Sequence, residues 1–333
     1  MDAPRTGRAA LVTTLRDAGD SIDSFIAWHL DIGFERLFLF FDDPDDPDLP
    51  RLAARPRITA IAHDEALRHA WMRLPEYNAL GSFTGSEVIA RQVLNVGIAM
   101  NLARQQGLDW LLHIDADELF FSPNQPVAEL FAAGQAFDTI PFPNFEAVPE
   151  ASVIGDPFRE VDLFKVPAIF SPGPFTPEGQ ALLRSTTQLQ PGLRFHFYTN
   201  GKSAVRLGAR DVRPNGVHSF ARTSGETRLA PVPAAYVLHY ACCGFEAFWT
   251  KYRRLGRFSD RWFGQDDIRA LIGPLHLDAR DVVAGGDRDA ALDFYRRRIA
   301  IEDPARGEAL IAHGILLRIP EPRQLLARLD AIR

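Results

Sequence analysis

The stretch Trp110-Leu111-Leu112-His113-Ile114-Asp115-Ala116-Asp117-Glu118-Leu119-Phe120-Phe121 decides how this chain is read. It opens as a buried strand and runs straight into three carboxylates. A protein interior does not accept such groups unpaired, so they must emerge at the strand tip and meet a cation. Asp115 and Asp117 are two residues apart, and in extended geometry they share one side of the chain. They can therefore converge on one metal ion or its phosphate-bound complex, and oxygen ligands favour Mg²⁺ or Mn²⁺. A solvated acidic turn capping the next helix has the same residues, but the apolar strand before it and Leu119-Phe120-Phe121 after it lower those odds.

Upstream, strand and helix patterns alternate. Ala9 to Leu15 is a short apolar run suited to a buried strand, and Asp20/Ser21 can cap a helix that passes Trp28, Leu30 and Ile32 and stops at Gly33. Arg36 to Phe41 predicts a second buried strand, and Arg57 to Ala62 a third. Ser86 to Gln106, with its recurring Val, Ile, Leu and Met, predicts a long packed helix. Short apolar strands separated by helices indicate an α/β fold with a mostly parallel central sheet flanked by helices. In such sheets ligands sit beyond the carboxyl ends of the strands. From about residue 122 the chain becomes rich in Pro and aromatic residues, which indicates irregular loops around short strands. Phe245 to Phe258, Ala290 to Ala300 and Glu321 to Ile332 read as helices.

The composition, 333 residues with 46% apolar and 24% charged content, excludes a disordered tail, a disulfide mini-protein and a collagen-like chain. The formal charge of −6 leaves no global basic field, so no nucleic-acid partner is expected. Only Lys165, Lys202 and Lys251 break an arginine background, and each compact ammonium stands out. The cysteines, Cys242 and Cys243, are neighbours, which fits a reducing compartment. There is no signal-peptide run and no apolar stretch approaching the ~20 residues of a membrane span, so a cytoplasmic location is expected. The basic stretch Tyr295 to Ile299 and the C-terminal helix are where peripheral contact with a membrane or a partner would fall, although a solvated helix face accounts for them better.

A second acidic cluster, Asp42-Asp43 with Asp45, Asp46 and Asp48, follows the second strand and shares the sheet edge of Asp115 if the sheet is parallel. An Asp there can accept hydrogen bonds from a base or ribose, although Asp-Pro is also ordinary turn chemistry. His218 follows Asn215-Gly216-Val217, and His239 ends the strand Ala235 to Leu238. A neutral imidazole at a strand end can add a nitrogen ligand to an oxygen-ligated Mn²⁺. Lys202 precedes His218, and Lys251, Arg253, Arg254 and Arg257 follow His239 on a predicted helix. A departing diphosphate requires such cations beside a metal.

In four blocks the chain resembles the bacterial family 2-like glycosyltransferases of GT-A fold that are related to glycosyltransferase family 92. They are Thr13-Thr14-Leu15-Arg16-Asp17 with Phe25 to Phe34, Phe40-Phe41-Asp42-Asp43, Gln92-x-x-Asn95 with Trp110 to Phe120, and Lys202 to His218 with His239-Tyr240, Phe248, Lys251 and Gly256. The blocks span roughly residues 10 to 258. The family's Lys-Asn-Glu after strand one is replaced here by Leu15 to Asp20.

The resemblance implies a hexosyltransferase-type enzyme of polysaccharide or surface-glycan assembly. It would move a sugar from a nucleotide-diphosphate donor, expected to be a UDP-sugar, to a hydroxyl of a glycan or glycolipid, with Mn²⁺ or Mg²⁺ and with inversion at the anomeric carbon. By the same likeness Asp115 and Asp117 would hold the metal and donor diphosphate, with His239, and by the reading above His218, as further ligands. Lys202, Lys251 and Arg254 would meet phosphate, Asp17, Asp42 and Asp43 would lie at the nucleoside, and Gln92 and Asn95 belong to the donor block. Inversion needs one general base. Glu146, between aromatic residues, is the first choice because its pKa could be raised, with Asp156 and Asp162 as alternatives. The domain reading is a nucleotide-sugar-binding half at 1–121, an acceptor-side half at 122–258 and a C-terminal helical extension at 259–333. Two other classes compete, a haloacid-dehalogenase-like phosphatase and a non-catalytic carbohydrate-binding protein. The first is disfavoured by the three strands before Asp115, the second by the joint presence of Asp115, Asp117, His239 and Lys251.

Overall fold

The computed structural model describes residues 7–16, 19, 21–170, 175–189, 195–256, 258, 261–262, 266–267 and 274–332. The strands in chain order are β1 (Ala9–Leu15), β2 (Arg36–Phe41), β3 (Ile58–Ala62), β4 (Trp110–His113), β5 (Glu118–Phe121), β6 (Thr139–Phe142), β7 (Asn144–Ala147), β8 (Leu163–Lys165), β9 (Lys202–Arg206), β10 (Val212–Asn215), β11 (Ser219–Arg222), β12 (Tyr236–His239), β13 (Arg261–Trp262), β14 (Asp266–Asp267) and β15 (Leu316–Arg318). The chain forms two compact units, Met1–Pro143 with Asn200–Val237, and Asn144–Thr199 with Leu238–Arg333.

The first unit is built on a six-stranded sheet of order β3-β2-β1-β4-β9-β6. β1 pairs in parallel with β2 and β4, and β2 with β3. β9 runs antiparallel to both β4 and β6. Leu37 to Phe41 of β2 are buried throughout, as a parallel strand covered on both faces requires. The helix Val88–Gln105 lays Leu94, Val96, Ala99, Met100 and Ala103 into a core with Ala10, Val12, Phe38, Phe40 and Leu111. By the ~25 cal/mol per Å² rule each such large side chain contributes about 1.5–3 kcal/mol.

From β1 the chain moves outward to β2 and β3, then returns to the other side of β1 for β4. The strand order therefore reverses between β1 and β4, the place where open α/β sheets bind ligands at their carboxyl ends. Leu15 and His113 are the last strand residues there, and Asp115 lies two residues past the latter.

The turn after β4 is fixed by the helix Ile22–Asp31. Trp28 Nε1 donates to the Phe120 carbonyl at 2.8 Å, and the Phe120 N–H donates to His29 Nε2 at 3.1 Å. His29 Nδ1 is 2.8 Å from the Phe25 carbonyl, so the ring is a neutral tautomer donating at Nδ1 and accepting at Nε2. Two adjacent side chains thus satisfy both backbone groups of one residue in β5.

The second unit contains the antiparallel ladder β15-β8-β7, with Leu316 opposite Lys165 and Glu146 opposite Lys165. The residues beyond 258 carry the helices Pro274–Ala284, Arg288–Arg298, Pro304–Ala312 and Glu321–Ile332, and they also contribute strand β15. One core gathers Phe248, Tyr252, Leu275, Phe294 and Tyr295; another joins Val148, Leu163, Leu310, Ile315 and Leu316. This C-terminal segment is part of the second unit's core. No helix among the described residues is long and apolar enough to cross a membrane.

Candidate functional site

The helix Val88–Gln105 organises the sheet edge, because three polar residues on one of its faces each reach the tip of a different strand. Arg91 holds Asp42, just past β2, through Nε to Oδ1 at 2.8 Å and Nη2 to Oδ2 at 2.6 Å. Both side chains are less than a tenth exposed. Gln92 Nε2 donates to Asp115 Oδ1 at 2.6 Å, beyond β4. Asn95 donates through Nδ2 to Thr14 Oγ1 of β1 at 3.0 Å and accepts from Trp71 Nε1 at 3.0 Å. Asn95 lies one turn from both Arg91 (i, i+4) and Gln92 (i, i+3), so the three span one side of the helix.

Opposite the helix stands Lys202, the first residue of β9. The pairing of Leu112 with Ala204 carries on to set Lys202 level with Ile114, at the tip of β4. Its side chain is fully buried, and Nζ lies 2.6 Å from Asp115 Oδ2 and 3.6 Å from Glu118 Oε2. Gly201 makes this approach feasible, since at φ +66° a Cβ there would sit 2.1 Å from the Phe142 carbonyl oxygen. Glu118 closes the turn, accepting the Asp115 N–H at Oε2 (2.6 Å) while its own N–H donates to the Asp115 carbonyl at 3.1 Å. Its Oε1 is buried without a hydrogen-bond partner.

The electrostatics follow from this packing. Burial alone would raise Asp115, yet the adjacent Lys202 ammonium holds that carboxyl well below the usual range. Burial also works against the Lys202 charge, but Asp115 and Glu118 keep its pKa raised. Glu118 is pushed well above the ordinary carboxylate range, by burial first and by the charges of Asp115 and Asp117. His113 is lowered to about 3 by burial, with Lys202 adding to the effect. His218 Nδ1 lies 2.8 Å from the Gly201 carbonyl, tying the segment that carries Lys202.

Among the described residues no group of three or more His, Cys, Asp or Glu side chains converges as a metal would require. Both Asp115 oxygens already accept donors, and one of those donors is an ammonium. Glu118 turns to the backbone of Asp115, and His218 Nδ1 lies against the Gly201 carbonyl. The donor set is thus oxygen-rich, as the sequence indicates, but its central carboxylate is neutralised from within.

Asp43 accepts the Asp45 N–H at 2.9 Å and Asp46 the Asp48 N–H at 2.9 Å, so these acidic residues build their own turn. Asp17 lies outside the described residues. In the second unit His239 is buried, with its ring 4.7 Å from that of Tyr198 and 5.6 Å from that of Phe197. Lys251 stands 5.8 Å over the Phe197 ring, and Arg254 is exposed on the same helix.

The three carboxylates considered for the base have other occupations. Glu146 is buried, pairs with Lys165 and accepts the backbone N–H groups of His196 (3.0 Å) and Phe197 (2.9 Å). Burial pulls its pKa up, but the Lys165 charge and these donors outweigh it, so the raised pKa expected from its aromatic neighbours is corrected to a lowered one. Asp156 caps the short helix Pro157–Glu160 and pairs with Arg159 at 3.1 Å. Asp162 binds Arg318 at 2.7 Å and Arg323 at 3.3 Å. Sequence reasoning passed over Arg91, Thr14 and His113.

No protein-family model matches this chain. Two proteins of Arabidopsis thaliana described as glycosyltransferase-like are similar along most of it. One is 27% identical over 96% of this chain and 72% of its own length; the other is 26% identical over 96% and 63%. Among solved structures, residues 1–349 of S. aureus TarS in complex with UDP-GlcNAc share 13% identity over 91% of this chain and 83% of that one, with a TM-score of 0.37. Core-mannan synthase A of Aspergillus fumigatus in its Mn/GDP form shares 13% over 63% and 62%, with a TM-score of 0.29. Both structural likenesses are slight.

Proposed function

We propose that this chain is a glycosyltransferase that takes a nucleotide-diphosphate sugar as donor and a hydroxyl group as acceptor. The donor would lie at the carboxyl edge of β1 and β4. One observation carries the reading: the polar face of Val88–Gln105 and the Asp115–Glu118 turn meet at the point where the strand order reverses. The names of the two plant relatives agree with it. A UDP-sugar is the donor this reading favours, and a glycan or glycolipid the acceptor.

In the reaction the acceptor oxygen attacks the anomeric carbon, the bond from that carbon to the diphosphate oxygen breaks, and the acceptor proton passes to a base. A single displacement of this kind inverts the sugar. Asp115, about a third exposed and held ionised, is suited to accept hydrogen bonds from donor hydroxyls. Gln92 and Lys202 fix its two oxygens, so it is oriented before the donor arrives. No step is assigned to a metal ion.

The test is a panel of UDP-, GDP- and other activated sugars scored for nucleoside-diphosphate release, with a generic phosphate ester alongside. Turnover with one donor class and none with the ester is expected. Ester hydrolysis without any donor turnover would make the protein a phosphatase instead.

A further inference from the structure

We propose that Lys202 is the resident cation of the acidic turn, occupying by a covalently attached ammonium the place beside Asp115 that a divalent ion would otherwise take. The inference deepens the donor-site reading but rests on the packing of this turn alone. Three features fix the ammonium there. Its side chain has no exposure, and its Nζ is 2.6 Å from Asp115 Oδ2 and 3.6 Å from Glu118 Oε2. It is also anchored through the backbone, because Lys202 pairs with Phe142 and follows a glycine that a side chain would drive into the Phe142 carbonyl.

A buried ammonium persists only where carboxylates compensate it, so Lys202 and Asp115 depend on each other. A dication brought to the same Asp115 oxygen would meet that ammonium at close range, where screening by solvent is only partial. It would also have to share Asp115 Oδ1 with Gln92. The turn therefore comes with its positive charge built in, and Mn²⁺ or Mg²⁺ is not recruited to it.

The experiment titrates the intact chain with Mn²⁺ alone, following free Mn²⁺ by electron paramagnetic resonance, so that it stands whether or not a sugar donor is ever found. Wild type and Asp115→Asn are expected to take up the same small amount, that of the general surface. Lys202→Met, which keeps the length of the side chain but not its charge, is expected to gain Mn²⁺ binding by about tenfold or more. Adding Asp115→Asn to that variant should remove the gain. Lys202→Arg keeps the charge and should resemble wild type. Wild-type Mn²⁺ binding that Asp115→Asn abolishes would overturn the proposal, as would a folded Lys202→Met that binds no more than wild type. Should Lys202→Met fail to fold, the comparison of wild type with Asp115→Asn decides alone.

Discussion

Arg91 shows how a single side chain sustains the site. With Asp42 it forms a pair less than a tenth exposed on either side, and removing one partner leaves the other buried and uncompensated. Arg91→Met is expected to lower stability by about 3–5 kcal/mol in urea unfolding, and the double variant with Asp42→Asn by less than the two single losses together. A midpoint unchanged in Arg91→Met would contradict the pairing. Asp115 is different, because the proposed function places it beside the donor. Asp115→Asn keeps the shape while removing the charge that compensates the buried Lys202, so stability is expected to fall by about 3–5 kcal/mol in urea unfolding, and donor affinity of the folded protein by about tenfold or more. The place of Asp115 at the strand tip could be read from the sequence, because an ionisable group directly after an apolar strand has few places to go. Arg91 could not, because its partner is 49 residues away and nothing local marks an arginine as buried. Lys202 stands out by its rarity, but its pairing with Asp115 does not, because the two are 87 residues apart.

At the scale of elements, the Trp28–His29 pair turns a helix into the clamp of a distant strand. The sequence reveals the helix, whose bounds nearly match the expected ones, but not that both side chains end on Phe120. Trp28→Phe removes one hydrogen bond and should cost about 1 kcal/mol, whereas His29→Leu leaves the buried Phe120 N–H without an acceptor and should cost about 1–3 kcal/mol. Equal, negligible effects in thermal or urea unfolding would contradict the clamp. The parallel strands β1 and β2 were legible to the residue from their apolar runs. The second unit was not, for its strands are short and interrupted by proline, and Glu146 illustrates the reason. Its aromatic neighbours in sequence pointed to a raised pKa, while the His196 and Phe197 N–H groups that reverse it come from 50 residues away.

Across the whole molecule the buried histidines set the response to acid. His29 and His113 in the first unit and His196 in the second are each lowered to about 3, by burial first in every case. An unfolded chain takes up these protons near pH 6.5, the folded one only near pH 3, so unfolding is favoured as the pH falls through that window. Their stabilising effect is complete above the window. Glu118, raised, works the other way by holding one extra proton in the folded state and offsets one of these uptakes, while His63, also lowered by burial first, adds to them. Each uncompensated proton steepens the loss by about 1.4 kcal/mol per pH unit. Urea midpoints should hold near neutrality and fall toward about pH 5; a midpoint that rises there would contradict the burial of these rings as neutral groups. The net charge of −6 gave no hint of this, because it counts histidine as neutral in both states.

The central claim is that a sugar nucleotide is held at the carboxyl edge of β1 and β4, and hydrogen–deuterium exchange with and without a UDP-sugar tests it most directly. The expected result is slower exchange in the segments that carry Thr14, Arg91 to Asn95 and Asp115 to Glu118, and loss of that protection in Asp115→Asn. Saturating donor that leaves those segments unprotected, or protects only others, would contradict it.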